Sequence, residues 1–324
     1  MRSIITYSLL LIFLFTTTKC KPNSLDEKYS TNANVEVSPN ETTKAEDKIK
    51  GYFNEDNLED YIVKDKKTDK IILIVYINNG KDYVRKVSFE VVNDDFGSVE
   101  EPLQNLFISN PKKGEILVGA SCCGSLKTTE SNYYKYYKEV DTWILYKVAT
   151  ATVDSDFIPL IDISYQDFAY SIDGKRRDNK LIREKELKEL KEKNDSQLNK
   201  LLEKFKVAND SKSIDKMSGK QNFDDLAEMI KNIPLSKENI SKYNDFAYYL
   251  GLCKDGETAS VFLLKEIIKK EPSRIVAYLN LADAQWDMEQ YENAKDSYRK
   301  YDSLMRKNEK NISKIPSRVK ERIK

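Results

Sequence analysis

Tyr278–Leu304 reads YLNLADAQWDMEQYENAKDSYRKYDSL. Its pattern predicts two amphipathic helices joined by a short turn at Met288–Gln290. A fainter copy runs from Tyr243 to Leu264. A shift of 35 residues pairs Tyr243 with Tyr278, Phe246 with Leu281, Ala247 with Ala282, Ala259 with Ala294 and Leu263 with Tyr298. Each pair keeps its character. Helix–turn–helix units repeating at about 34 residues stack into solenoids. Such units bind partners and rarely do chemistry, so this stretch points to a non-catalytic binding protein.

Within each copy two alanines lie 12 residues apart, Ala247 with Ala259 and Ala282 with Ala294. This pattern, from Ser236 onward, resembles the tetratricopeptide repeat (TPR). In that family small residues stand where helix A and helix B of one unit cross closely. Tyr291 and Tyr298 match its aromatic positions, and Pro272 falls near where helix B ends. Gln285, where the family favours an aromatic, departs from the pattern, as does the period of 35. The resemblance implies a groove lined by the A helices that takes a partner protein or peptide. Asp245 and Tyr249 in the first unit, and Asn280, Asp283 and Asp287 in the second, are the candidate partner-binding residues. Their polar lining suits a polar or basic peptide. The tail Ile315–Ile323 is expected to be a capping helix. Two units rarely bury enough surface alone, so the helices of 178–233 and the tail are expected to complete the stack.

Charge rises after Gly174. Leucines recur through Asp178–Ala208, with a break and a new N-cap at Asn194–Ser196, which predicts a helix hairpin. Asn209–Gln221 reads as a loop, and Phe223–Ile233 as a short helix ended by Pro234.

Before Gly174 the period changes to two. Lys70–Asn78, Val84–Val92, Glu115–Ala120 and Thr142–Val148 are rich in β-branched and aromatic residues, with turn residues between them. The first two should form a hairpin through Asn79–Asp82. Six to eight mostly antiparallel strands are expected. In TWILYKV, strict alternation puts Trp143 and Leu145 on one face and Ile144 and Tyr146 on the other.

Gly51–Val63, GYFNEDNLEDYIV, resembles the FG-GAP or VCBS loop of integrin-like propellers. Asn54, Asp56 and Asp60 stand where that loop places three oxygen donors. The resemblance implies either a tight turn closed by hydrogen bonds or a Ca²⁺ ion held by those side chains. Tyr52 and Asn57 replace the loop's first Asp and its turn Gly. No other cofactor is expected.

Residues 1–20, MRSIITYSLLLIFLFTTTKC, carry an early Arg and an apolar run from Leu9 to Phe15, which is signal-peptide patterning. The run ends at Cys20 in a segment that resembles a bacterial lipobox, with Lys19 departing from its preferred small residue. The resemblance implies that Cys20 carries a lipid and becomes the mature N-terminus, placing the protein on a membrane of the bacterial cell envelope. Residues 21–45 are polar and aperiodic, as a disordered tether would be.

Lys plus Arg number 54 and Asp plus Glu 53 over 324 residues, a net charge of +1, which makes no case for a nucleic-acid partner. Histidine is absent, which excludes His-based triads, bases and metal ligands. Cys122, Cys123 and Cys253 are an odd set once Cys20 is lipidated. The Tyr133–Tyr137 strand could offer a carbohydrate- or protein-binding face, or pack its rings on both sides. The alternatives to a TPR binding module are a carbohydrate-binding envelope protein and a carboxylate-based cell-wall hydrolase.

The fold class expected is therefore α+β, an N-terminal mostly antiparallel β domain followed by an α-helical TPR-like solenoid. The expected divisions are a signal peptide (1–20), a tether (21–45), a β-rich domain (46–174), a helical connector (175–235) and the repeats with their cap (236–324).

Overall fold

The period-two segments form two antiparallel sheets in a computed structural model. It describes residues 48–97, 99, 101–122, 128–177, 179–192, 195–308 and 312–324. Cys20 and the tether lie outside the described residues. The first sheet is a meander of β1 (Lys48–Gly51), β2 (Asp60–Lys66), β3 (Ile71–Asn78) and β4 (Tyr83–Val91). The second orders β5 (Leu106–Ser109), β6 (Glu115–Ser121), β7 (Thr129–Tyr137), β8 (Thr142–Val153) and β9 (Pro159–Tyr165) side by side. These are nine strands among the described residues, against the six to eight expected. β1 and β5, four residues each, are too short to display a period.

The expected β3–β4 hairpin is present. Asn79 Oδ1 accepts from the amides of Lys81 and Asp82, and Gly80 supplies a φ of +87° that only glycine adopts freely. On β6, Gly119 faces Phe107 of β5, whose ring lies where a side chain would be: a Cβ would sit 2.3 Å from Phe107 Cζ.

Alternation then sorts the second sheet into two faces. Ile116, Val118, Ala120 and Trp143 join Ile62, Leu73, Val75 and Phe89 of the first sheet in one core. Leu117, Tyr133, Tyr137, Ile144, Tyr146 and Ala149 join a second core with the helices. Tyr134 and Tyr136 pack against the first of these cores, so the β7 tyrosines are used on both faces. Trp143 anchors the sandwich by donating its Nε1 hydrogen to the Phe53 carbonyl at 2.6 Å.

The expected alternation of TWILYKV runs through Tyr146 and breaks at Lys147. The register against β7 shifts, with Tyr133 opposite Lys147 and Tyr134 opposite Leu145. This bulge turns Tyr146 and Lys147, neighbours in sequence, both toward the helices. Bulges re-aim side chains in this way because the extra residue is unpaired.

Eight α-helices lie among the described residues: α1 (Lys180–Glu192), α2 (Asp195–Asp210), α3 (Phe223–Asn232), α4 (Ile240–Leu252), α5 (Glu257–Lys270), α6 (Ile275–Asp287), α7 (Tyr291–Lys307) and α8 (Ser317–Arg322). The two helices predicted over 178–208 are α1 and α2, and the predicted turn at Met288–Gln290 separates α6 from α7. α3 starts at Asn222, whose side chain accepts from the amides of Asp224 and Asp225. All four alanines of the repeat, Ala247, Ala259, Ala282 and Ala294, are buried. α2 packs on α4 through Phe205 and Phe246, ring centroids 5.4 Å apart. α8 closes the far end by burying Val319 beside Tyr298 and Tyr301 of α7. α3 instead lies on β9.

Candidate interaction surface

The two faces of the α4–α7 array meet different surroundings. On the B-helix side the β8–β9 turn docks onto α5 and α7. Lys265 of α5 donates to Asp154 at 2.6 Å and to Asp156. Asn293 of α7 donates to Asp156 Oδ1 at 3.0 Å, and Gln290 to the Asp156 carbonyl at 3.2 Å. Partial burial raises the pKa of Asp154, but Lys265 and the amides of Ile158 and Asp156 outweigh it and hold that carboxyl below its ordinary value.

The A helices, α4 and α6, carry the residues singled out in the sequence. Asp245 and Asp287 are exposed, Asn280 is half-buried, and Tyr249 is half-buried beside Tyr248, ring centroids 5.6 Å apart. Asp283 differs from the expectation of an uncommitted side chain. Its oxygens accept from Arg318 Nε at 2.8 Å, Arg318 Nη2 at 2.6 Å, Arg322 Nη1 at 3.5 Å and Tyr298 Oη at 2.6 Å. Arg322 also stacks over Trp286, its Cζ 4.4 Å from the ring centroid. Burial and the hydrogen bond to Asp283 push the Tyr298 phenol up to about 12. The cause is α8. Arg318 and Arg322 lie one turn apart on one face, and the short tail brings that face onto α6. Asp283 thus holds the cap in place with Asp287 near Arg322 of that cap, while Tyr249 packs against the sheet–helix core near α2.

Asn54 and Asp56 lie in the β1–β2 turn, and Asp60 opens β2. Asn54 Oδ1 accepts from the Asp56 amide at 2.9 Å, and Asp56 Oδ1 from the Leu58 amide at 2.8 Å. Asn54 Nδ2 donates to the second Asp56 oxygen at 2.7 Å. Asp60 is buried, with one oxygen on the Phe53 amide at 3.0 Å and the other on the Asn78 amide at 2.9 Å. Burial is the largest influence on its carboxyl and raises its pKa, against the two amides. A calcium ion needs six to eight converging oxygens. The oxygens of Asp56 and Asp60 accept from N–H groups of this loop and of Asn78 in β3, hydrogen bonds that close the turn.

One cluster escapes sequence reasoning. Lys147, 1% exposed, donates to Glu228 of α3 at 2.7 Å and lies over the Tyr133 ring, 3.9 Å from its centroid. The Tyr165 hydroxyl of β9 donates to Glu228 and lies within hydrogen-bond distance of Asn232, both at 2.9 Å. Tyr133 donates to Asp224, and Tyr146 to Glu115 at 3.0 Å. Burial, then the Asp224 carboxylate, raises the Tyr133 pKa far above the ordinary tyrosine value, so the phenol stays a donor. The network clamps α3 to the sheet. Its one sequence signal is a lysine inside an otherwise apolar strand.

Cys253 is a free thiol, and Cys123 lies outside the described residues. Burial raises the Cys253 pKa, which suppresses the thiolate. No protein-family model, curated protein or solved structure matches this chain.

Proposed function

We propose that the protein is a lipid-anchored, non-catalytic component of the bacterial cell envelope whose TPR-like helices bind another envelope protein or a peptide. The observation that carries this reading is the asymmetry of the helical array. Its B-helix side meets the β8–β9 turn, whereas Asp245 and Asp287 of the A helices are exposed and Asn280 and Tyr249 half-buried. The buried alanine pairs support the TPR-like crossing, and the α8 cap supports a stack that ends at α7. Polar side chains on a pre-formed helical face can hold a partner's backbone or charged terminus without reorganising the fold.

The direct test is site-specific photo-crosslinking in cells. A photoreactive residue at Asp245 or Asp287 should trap one discrete partner. The same residue at Tyr83, exposed on β4, should not. Adducts from Tyr83 with none from the helices would reject the groove as the binding surface. The anchor is tested separately. A fatty-acid probe should label the wild-type chain and leave Cys20→Ser unlabelled; equal labelling of both removes Cys20 as the lipid site.

A further inference from the structure

We propose that the cavity in front of α1 binds a phosphate monoester, free or as a lipid headgroup. The cavity measures about 560 Å³, within the range of small-molecule sites, and Arg176, Arg177, Asn179, Lys180, Arg183 and Asp167 line it. A short hairpin presents the first two arginines. Tyr170 bridges Arg176, the Arg177 amide donates to the Ala169 carbonyl at 2.8 Å, and Gly174 makes the turn at φ +76°. Arg177 is further fixed by donation from Nε to the buried Ser171 Oγ at 3.3 Å. Lys180 and Arg183 come from the first turn of α1, whose positive end faces the same space.

Charge selects the ligand. Arg176, Arg177, Lys180 and Arg183 line the cavity with one carboxylate, Asp167, and Lys180 is also paired with Glu184 at 3.9 Å. Asp167 is turned to its own loop, accepting from the Ala169 amide at 3.0 Å. Guanidinium forks match phosphate oxygens, which favours a phosphate dianion over a single carboxylate. A second observation refines the class. Asn179 is 6% exposed and spends its Nδ2 on the Phe168 carbonyl at 2.6 Å. Its Oδ1 is buried with no donor among the described residues. A ligand hydroxyl would satisfy it, so a hydroxyl-bearing monoester such as glycerol phosphate fits better than a bare anion.

The test uses the full-length chain. Calorimetry at low salt should show saturable binding of glycerol 3-phosphate, tighter than that of inorganic phosphate and weakened by added salt. Arg176→Glu with Arg183→Glu should weaken it by about tenfold or more per arginine. Arg176→Gln with Arg183→Gln serves if charge reversal perturbs folding. Sedimentation with phosphatidylglycerol vesicles, against phosphatidylcholine vesicles, separates the sources. A preference for phosphatidylglycerol that the arginine variants abolish assigns the site to lipid headgroups. Binding of the free ester without that preference assigns it to a soluble ligand. No binding of either, or binding that both variants retain, overturns the proposal. The outcome is independent of crosslinking at the A-helix face.

Discussion

Lys147→Ala should lower the unfolding free energy by about 3–5 kcal/mol, seen as a shifted denaturant midpoint with an unchanged slope. Lys147 is 1% exposed and its partner Glu228 is 11% exposed at the side chain. Removing the ammonium takes from the Glu228 carboxylate the cation bonded to it in the sheet–helix layer, while Tyr165 still donates to it. The cost is mainly that of an uncompensated buried charge, together with the lost packing on Tyr133. Replacing both partners separates the two origins. Lys147→Met with Glu228→Leu should recover most of the loss, because apolar groups of similar volume avoid the desolvation of both ions. If the single variant loses less than about 1 kcal/mol, water reaches this pair and it does not clamp α3 to the sheet.

Ala294→Leu should cost about 1–3 kcal/mol, read as a lowered melting temperature. Ala294 and Ala282 are both 0% exposed and share a core with Tyr298 and Tyr301, so three extra carbons have no space without a backbone shift. Ala259→Leu should act similarly in the first pair, where Ala259 is 3% exposed. Asp287→Ala, at an exposed position of α6, should leave the melting temperature nearly unchanged. A variant carrying Ala294→Leu that melts like the wild type would show that α6 and α7 do not cross closely at this point, and would remove the packing basis for the TPR-like reading.

Much of the architecture was legible because it is periodic. The change from period two to period 3.6 after Gly174 marked the passage from sheets to helices. The breaks at Asn194–Ser196 and Met288–Gln290 placed helix ends, and Asn79–Asp82 placed a hairpin turn. Each rests on local chemistry: side-chain alternation, caps and turn residues act over a few positions. The buried alanines were also legible, since a small residue recurring amid long side chains has few other uses. The β1 and β5 strands were not, because four residues carry no readable period.

What escaped the sequence depended on partners distant along the chain. Asp283 read as a free groove residue until α8 brought Arg318 and Arg322 onto it, 35 and 39 residues later. Lys147 read as one member of an alternating strand, but a register shift against β7 turned it toward Glu228, 81 residues away. The cationic cavity likewise arises where a hairpin meets a helix start. The sequence by itself determined the classes of element, most of their boundaries and the small-residue positions, because propensity and periodicity are local. Only the tertiary structure decided which charged and polar side chains are spent inside the fold and which remain on its surface, because electrostatic pairing and desolvation depend on distance in space.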